Sequence, residues 1–180
     1  MFSQENYLKA LTFAAKAHDE QKTPKELPYL THLCSVAMEI IHAAVESKMD
    51  EKKSDLAITC ALLHDVIEDT NTTFDEVFDA FGLEVAQGVE SLSKNKQLAK
   101  NEQMADSLNR ILTQPYEIQM VKLADRITNL QEPPAYWDNN KKKAYLKEAR
   151  LILSCLKNSN LYLSARLEKK IQDFEKYIKE

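Results

Sequence analysis

Apolar residues recur at three- and four-residue steps along nearly the whole chain, the spacing of helices with one face turned to a core. Tyr7, Leu8, Leu11, Ala14 and Ala15 lay such a face on a first helix, and Leu33, Val36, Ala37, Ile40 and Ile41 on a second. Asp50 or Ser54 is placed to cap a third helix, which carries Ala57, Ile58, Ala61 and Leu62. Thr72 or Thr73 opens a short helix, with Glu76 three residues beyond Thr73 as in a capping box, and Gly82 ends it. Further helical segments are predicted at about 83–92, 98–112, 116–131, 140–157 and 160–178. Pro115 fits a helix start, and Pro133-Pro134 must stop one. No segment sustains the period-two alternation of a half-buried strand. The pattern predicts an all-α fold, one compact bundle of about eight to ten helices, with residues 1–180 forming a single domain.

Composition supports that class. Only 2 Gly and 5 Pro occur in 180 residues, too few turn residues for a β-sandwich or barrel. Gly82 and Gly88 are the only glycines, so neither a P-loop nor a dinucleotide fingerprint can exist. Any grip on phosphate must come from elsewhere. Hydrophobic residues make up 44%, enough for a real core. The net charge of −4 gives no general attraction to nucleic acid or anionic membrane. No apolar run approaches the ~20 residues that span a bilayer, and the N-terminus lacks the basic and apolar regions of a signal peptide. Cys34, Cys60 and Cys155 are odd in number, widely spaced and set among apolar neighbours. They read as buried reduced thiols, which points to the cytoplasm.

The chemistry concentrates in His64-Asp65-Val66-Ile67-Glu68-Asp69, which follows the apolar Ala61-Leu62-Leu63. On a helix, Glu68 lies one turn beyond His64 and Asp69 one turn beyond Asp65. Burying such a cluster unpaired would cost several kcal/mol. A divalent cation would compensate; the alternative is a solvated helix end with a capping histidine. His32 begins a core-facing helix, and Asp125 sits inside the apolar run from Val121 to Leu130, with Asn129 one turn further on. Singly, His32 could be a satisfied core histidine and Asp125 the partner of Arg126. Together the segments supply two His and two Asp, a set suited to Mn²⁺, Fe²⁺ or Zn²⁺.

The order H…HD…D resembles the HD-domain metal-dependent phosphohydrolases. The extended forms, HDVIEDT followed by VKLADRITNL, look like the (p)ppGpp hydrolase domain of the Rel/SpoT enzymes and the free-standing small alarmone hydrolases. The likeness runs from Ala17-His18 and Gln21 through Pro28-Tyr29-x-x-His32 and Phe81-Gly82-Leu83-Glu84-Val85-Ala86 to Trp137 and Tyr145. It implies an HD-type helical bundle in which His32, His64, Asp65 and Asp125 ligate one Mn²⁺, or another divalent metal. Glu68 and Asp69 would then lie beside the attacking water as catalytic residues. The resemblance places Asn129 on the nucleoside and Tyr145 on the substrate, and puts Lys141 where that group carries a basic residue. The implied reaction releases pyrophosphate and a nucleoside 5′-phosphate, so the partner is a small nucleotide.

One stretch departs from the family. A basic pair usually follows the glutamine, and one of its residues packs on the guanine base. Here Thr23 and Pro24 stand at those positions, with Lys22 and Lys25 nearby. Lysine cannot stack as a planar guanidinium does, so the departure leaves the base open to guanine or adenine, or to another nucleotide bearing a terminal phosphate. Three further readings stand beside this one. They are a nucleotidase acting on a nucleotide such as NADPH, a non-catalytic alarmone sensor, and a metal-free helical interaction protein that would leave Asp125 unexplained. His18 reads as support for the Lys22–Lys25 loop, His42 as structural or surface, and Lys94 as a phosphate contact or a plain surface lysine. Oligomeric state is not legible.

Overall fold

The computed structural model describes residues 2–178. Among them the regular elements are the helices α1 (Gln4–His18), α2 (Leu30–Glu46), α3 (Glu51–Leu63), α4 (Val66–Asp69), α5 (Phe74–Phe81), α6 (Leu83–Leu92), α7 (Lys100–Leu112), α8 (Tyr116–Asn129), α9 (Asn139–Leu156) and α10 (Leu161–Glu175). The all-α expectation holds. The single β feature among the described residues is an isolated antiparallel bridge between Lys22 and Pro28.

Local chemistry explains the boundaries. Asp50, not Ser54, caps α3: its Oδ1 accepts from the Lys53 N–H at 3.0 Å, while the buried Ser54 hydroxyl donates to the Asp50 carbonyl at 2.8 Å. Thr73 rather than Thr72 opens α5, in a full capping box with Glu76. Gly82, at φ 86°, makes the sharp step from α5 to α6, a conformation that side chains resist. Asp138 and Asn160 cap α9 and α10.

Helix α3 is the centre of the bundle. From Leu56 to Leu63 every residue is buried, and α1, α2, α6 and α8 pack around it. A helix apolar on all sides belongs in such a position. Helix α8 is buried almost as completely, yet it carries Glu117, Lys122, Asp125 and Arg126 into the interior. Gly88 lets α6 approach this pair closely: a Cβ there would lie 2.6 Å from Ile118 Cδ1 and 3.1 Å from Cys60 Sγ. The C-terminal stripe of Leu167, Ile171 and Phe174 faces the protein's own core, with Ile178 packed against it.

Two expectations need correction. The helix does not run unbroken through the His64–Asp69 segment. It stops at Leu63 and restarts at Val66. His64 Nδ1 lies 2.8 Å from the Ala61 carbonyl, one of the acceptors a helix C-terminus leaves without an intrahelical partner. Asp69 N–H still bonds to the Asp65 carbonyl at 2.8 Å, so those two carboxylates stay on adjacent turns. The cysteines are all unpaired, but only Cys60 is buried; Cys34 and Cys155 are half-buried.

Candidate active site

Three helix segments converge on one point. His32 lies in the first turn of α2, His64 caps the C-terminus of α3, Asp65 follows in the link to α4, and Asp125 comes from the middle of α8. His32 Nε2 and His64 Nε2 are 3.3 Å apart. Asp65 Oδ2 lies 3.0 Å from His64 Nε2 and 3.6 Å from His32 Nε2, and Asp125 Oδ1 lies 3.7 Å and 3.5 Å from the same atoms. Ligand atoms of His32, His64 and Asp125 all fall within 4.8 Å of one another.

The donor set fits a divalent cation. In the neutral His64 ring, the bond from Nδ1–H to the Ala61 carbonyl assigns the tautomer and leaves the Nε2 lone pair facing the carboxylates. Such a backbone carbonyl commonly orients a metal-binding histidine. Two imidazoles and two carboxylates suit a borderline divalent ion. Lys122 Nζ lies 3.4 Å from the other Asp125 oxygen, Oδ2, and the Asn129 amide donates to Oδ1, the oxygen that faces the histidines.

A family model described as "HD domain" matches residues 10–159. The guanosine-3′,5′-bis(diphosphate) 3′-pyrophosphohydrolase MESH1 of Xenopus tropicalis is 32% identical over 173 residues, covering 92% of this chain and 93% of that protein. The chain belongs to the HD-domain family, in its MESH1 branch. Human MESH1 is also 32% identical, over 89% of this chain and 90% of its own. The guanosine-3′,5′-bis(diphosphate) 3′-pyrophosphohydrolase of Aquifex aeolicus matches 77% of this chain but only 19% of its own length, at 31% identity. A solved structure of a metazoan ortholog of SpoT that hydrolyzes ppGpp superposes with a TM-score of 0.81 over 96% of this chain and 97% of that one, at 26% identity.

In this MESH1-type HD domain, electrostatics bind the cluster together. Burial alone would depress the His64 imidazolium, but the Asp65 and Asp125 carboxylates raise it to about 10. Burial would raise Asp65; the His64 ring and the Tyr29 hydroxyl hold its carboxyl well below the usual range. Asp125 is likewise held down against burial, by Lys122 and the two histidines. Asp69 moves the other way. Burial and the neighbouring Asp65 and Glu68 charges push it up.

The catalytic candidates divide in their surroundings. Glu68 accepts the Lys94 N–H at 2.8 Å and the Lys94 ammonium at 3.3 Å, while Lys96 Nζ donates to the Glu68 carbonyl. Lys94, legible in sequence only as a phosphate contact or a surface lysine, is thus the clamp on Glu68. Asp69 is more exposed and receives a 3.4 Å contact from the Tyr29 hydroxyl. Of the substrate candidates, Asn129 adjoins Asp125. Tyr145 packs over the Arg126 guanidinium, 4.4 Å from the ring centroid, and against Trp137 at 5.0 Å. Lys141 Nζ lies 4.6 Å over the Trp137 ring.

Lys22 and Lys25 are not gathered into the cluster. Both are exposed on the small hairpin closed by the Lys22–Pro28 bridge, and Lys22 pairs with Glu26 at 3.4 Å. Arg126 is not the partner of Asp125; it bonds to Glu148. Tyr29 stands in the Pro28-Tyr29-x-x-His32 motif of the sequence, which gave it no role at the site.

Proposed function

We propose that this chain is a divalent-metal-dependent hydrolase that removes the 3′-diphosphate of a ppGpp-type alarmone, releasing pyrophosphate and the nucleoside that keeps its 5′-di- or triphosphate. The observation that carries the reading is the convergence of His32, His64, Asp65 and Asp125 beside Glu68 and Asp69, in a chain that covers nearly the whole of relatives named for this activity. One Mn²⁺ is the cation we assign, held by those two histidines and two aspartates. When bound, it supplies neutralisation of phosphoryl charge and a lowered pKa for water at its open positions.

The protein's own groups do the rest. Glu68, held rigidly by Lys94, orients the attacking water and accepts hydrogen bonds from it. Asp69, whose proton affinity is raised, takes the water's proton and returns one toward the leaving oxygen. Lys94 stands beside Glu68 as a fixed positive charge near the diphosphate. Asn129 contacts the nucleoside; Tyr145, whose ring carries the Arg126 guanidinium, and Lys141, over the Trp137 ring, line its other side. Lys22 and Lys25 attract the polyphosphate from the exposed hairpin. We infer a cytoplasmic enzyme, a reading that the free thiols and the small charged substrate support; no helix among the described residues is long and apolar enough to cross a membrane.

The test is a substrate panel with Mn²⁺-loaded protein: ppGpp, pppGpp, ppApp, pppApp and NADPH. Pyrophosphate from one or more of the first four is expected. Orthophosphate from NADPH alone would replace this reading with the nucleotidase one, which the absence of a guanidinium at Thr23 and Pro24 would accommodate. No turnover by metal-loaded protein would leave neither standing.

A further inference from the structure

Tyr29 is fixed on every side before its hydroxyl reaches the cluster. Its N–H donates to the Gln21 carbonyl at 2.9 Å, and its carbonyl accepts the His32 N–H at 2.9 Å. One ring face stacks on His18, with centroids 4.7 Å apart and planes 23° from parallel. His18 is itself buried, and its Nδ1 lies 2.8 Å from Gln21 Oε1. The ring also tilts against His32 at 5.5 Å, with planes 58° apart. The ring therefore has one orientation, and the hydroxyl one target region.

That target is Asp65 Oδ2, at 2.6 Å. The same hydroxyl lies 3.4 Å from Asp69 Oδ2. A phenol has one proton to give, and the shorter contact takes it. An O–H···O⁻ bond of this length is of the strong, charge-assisted kind. The oxygen that accepts it is also the one 3.0 Å from His64 Nε2. A carboxylate oxygen has two lone pairs, so Oδ2 can accept the phenol and still face the cation position. Without the phenol, nothing shown on that side of Asp65 would hold the carboxylate to this rotation.

We propose that Tyr29 is a positioning residue for the cation. Its hydroxyl orients the Asp65 carboxylate, and the His18–Gln21 pair holds the Tyr29 ring in place. The inference rests on the reading of the cluster as a cation site. Partners of this kind, which touch a ligand and not the metal, typically cost 10–100-fold in metal affinity when removed.

The experiment is a calorimetric titration of Mn²⁺ into metal-free protein. Wild type should bind one ion. Tyr29→Phe, which keeps the stacked ring and loses only the hydroxyl, should keep its helical circular-dichroism spectrum and bind about 10–100-fold more weakly. His18→Phe keeps a flat ring against Tyr29 and should bind nearly as wild type, whereas His18→Ala should weaken binding. Tyr29→Phe at wild-type affinity overturns the inference while leaving the cation site intact. His18→Phe as weak as His18→Ala overturns the ring-holding part. Wild-type protein that takes up no ion sinks the cation reading itself, an outcome distinct from the other two.

Discussion

Loading a cation at this cluster must expel a proton from His64. In chelator-treated protein the Asp65 and Asp125 carboxylates, 3.0 and 3.7 Å from Nε2, keep the imidazole charged up to about 10 even though burial opposes it. A metal ligand has to be the neutral ring, so proton and cation compete for one nitrogen. Below that value, each unit rise in pH should strengthen apparent Mn²⁺ affinity by about tenfold, or about 1.4 kcal/mol. The assay is calorimetry at about pH 7.5 in two buffers of different ionisation enthalpy; the dependence of the heat on the buffer should report about one proton released per ion bound. Release of no protons, with affinity flat from about pH 6.5 to 8.5, would refute the reasoning. The same linkage sets the stability of the metal-free protein. The raised His64 value gives stability that is full below the ordinary histidine pKa near 6.5 and is lost as pH rises toward about 10. The depressed Asp65 and Asp125 values give stability present above the ordinary carboxylate range and lost as pH falls below it. Thermal midpoints of chelated protein should therefore peak in mildly acidic buffer, and added Mn²⁺ should flatten the alkaline decline.

Two other perturbations test separate links. Lys94→Met removes the ammonium 3.3 Å from Glu68; kcat should fall by about ten- to a hundredfold through misplacement of that carboxylate, with Mn²⁺ affinity unchanged by calorimetry. Gly88→Ala puts a Cβ 2.6 Å from Ile118 Cδ1; overpacking outweighs the gain in helix propensity, so urea denaturation should show a loss of about 1–2 kcal/mol.

The helical frame was legible because it depends on local periodicity and caps. The Asp50 and Thr73 starts, the Gly82 step and the apolar length of α3 all follow from side chains acting within a few residues. The cluster was legible for a different reason. A carboxylate such as Asp125 inside an apolar run demands a partner, and His32 and His64 make the same demand. What stayed hidden depends on three-dimensional contact. Arg126 is adjacent to Asp125 in sequence, but neighbouring helix positions do not face each other. Asp125 meets Lys122, one turn back, and Arg126 turns to Glu148. The break after Leu63 arises from a histidine ring beside a helix-end carbonyl, which no propensity encodes. Tyr29 belonged to a legible motif, but its role depends on a contact 36 residues away, its hydroxyl 2.6 Å from Asp65.

The central claim is that this cluster, with Glu68 and Asp69 beside it, hydrolyses the 3′-diphosphate. The direct measurement is pyrophosphate release from ppGpp by wild type and by the Glu68→Gln, Asp69→Asn double variant at matched Mn²⁺ occupancy. Wild type should yield pyrophosphate and GDP in equal amounts, and the double variant should bind the ion but yield almost none. Metal-loaded wild type that releases no pyrophosphate, or a double variant that matches it, would contradict the account.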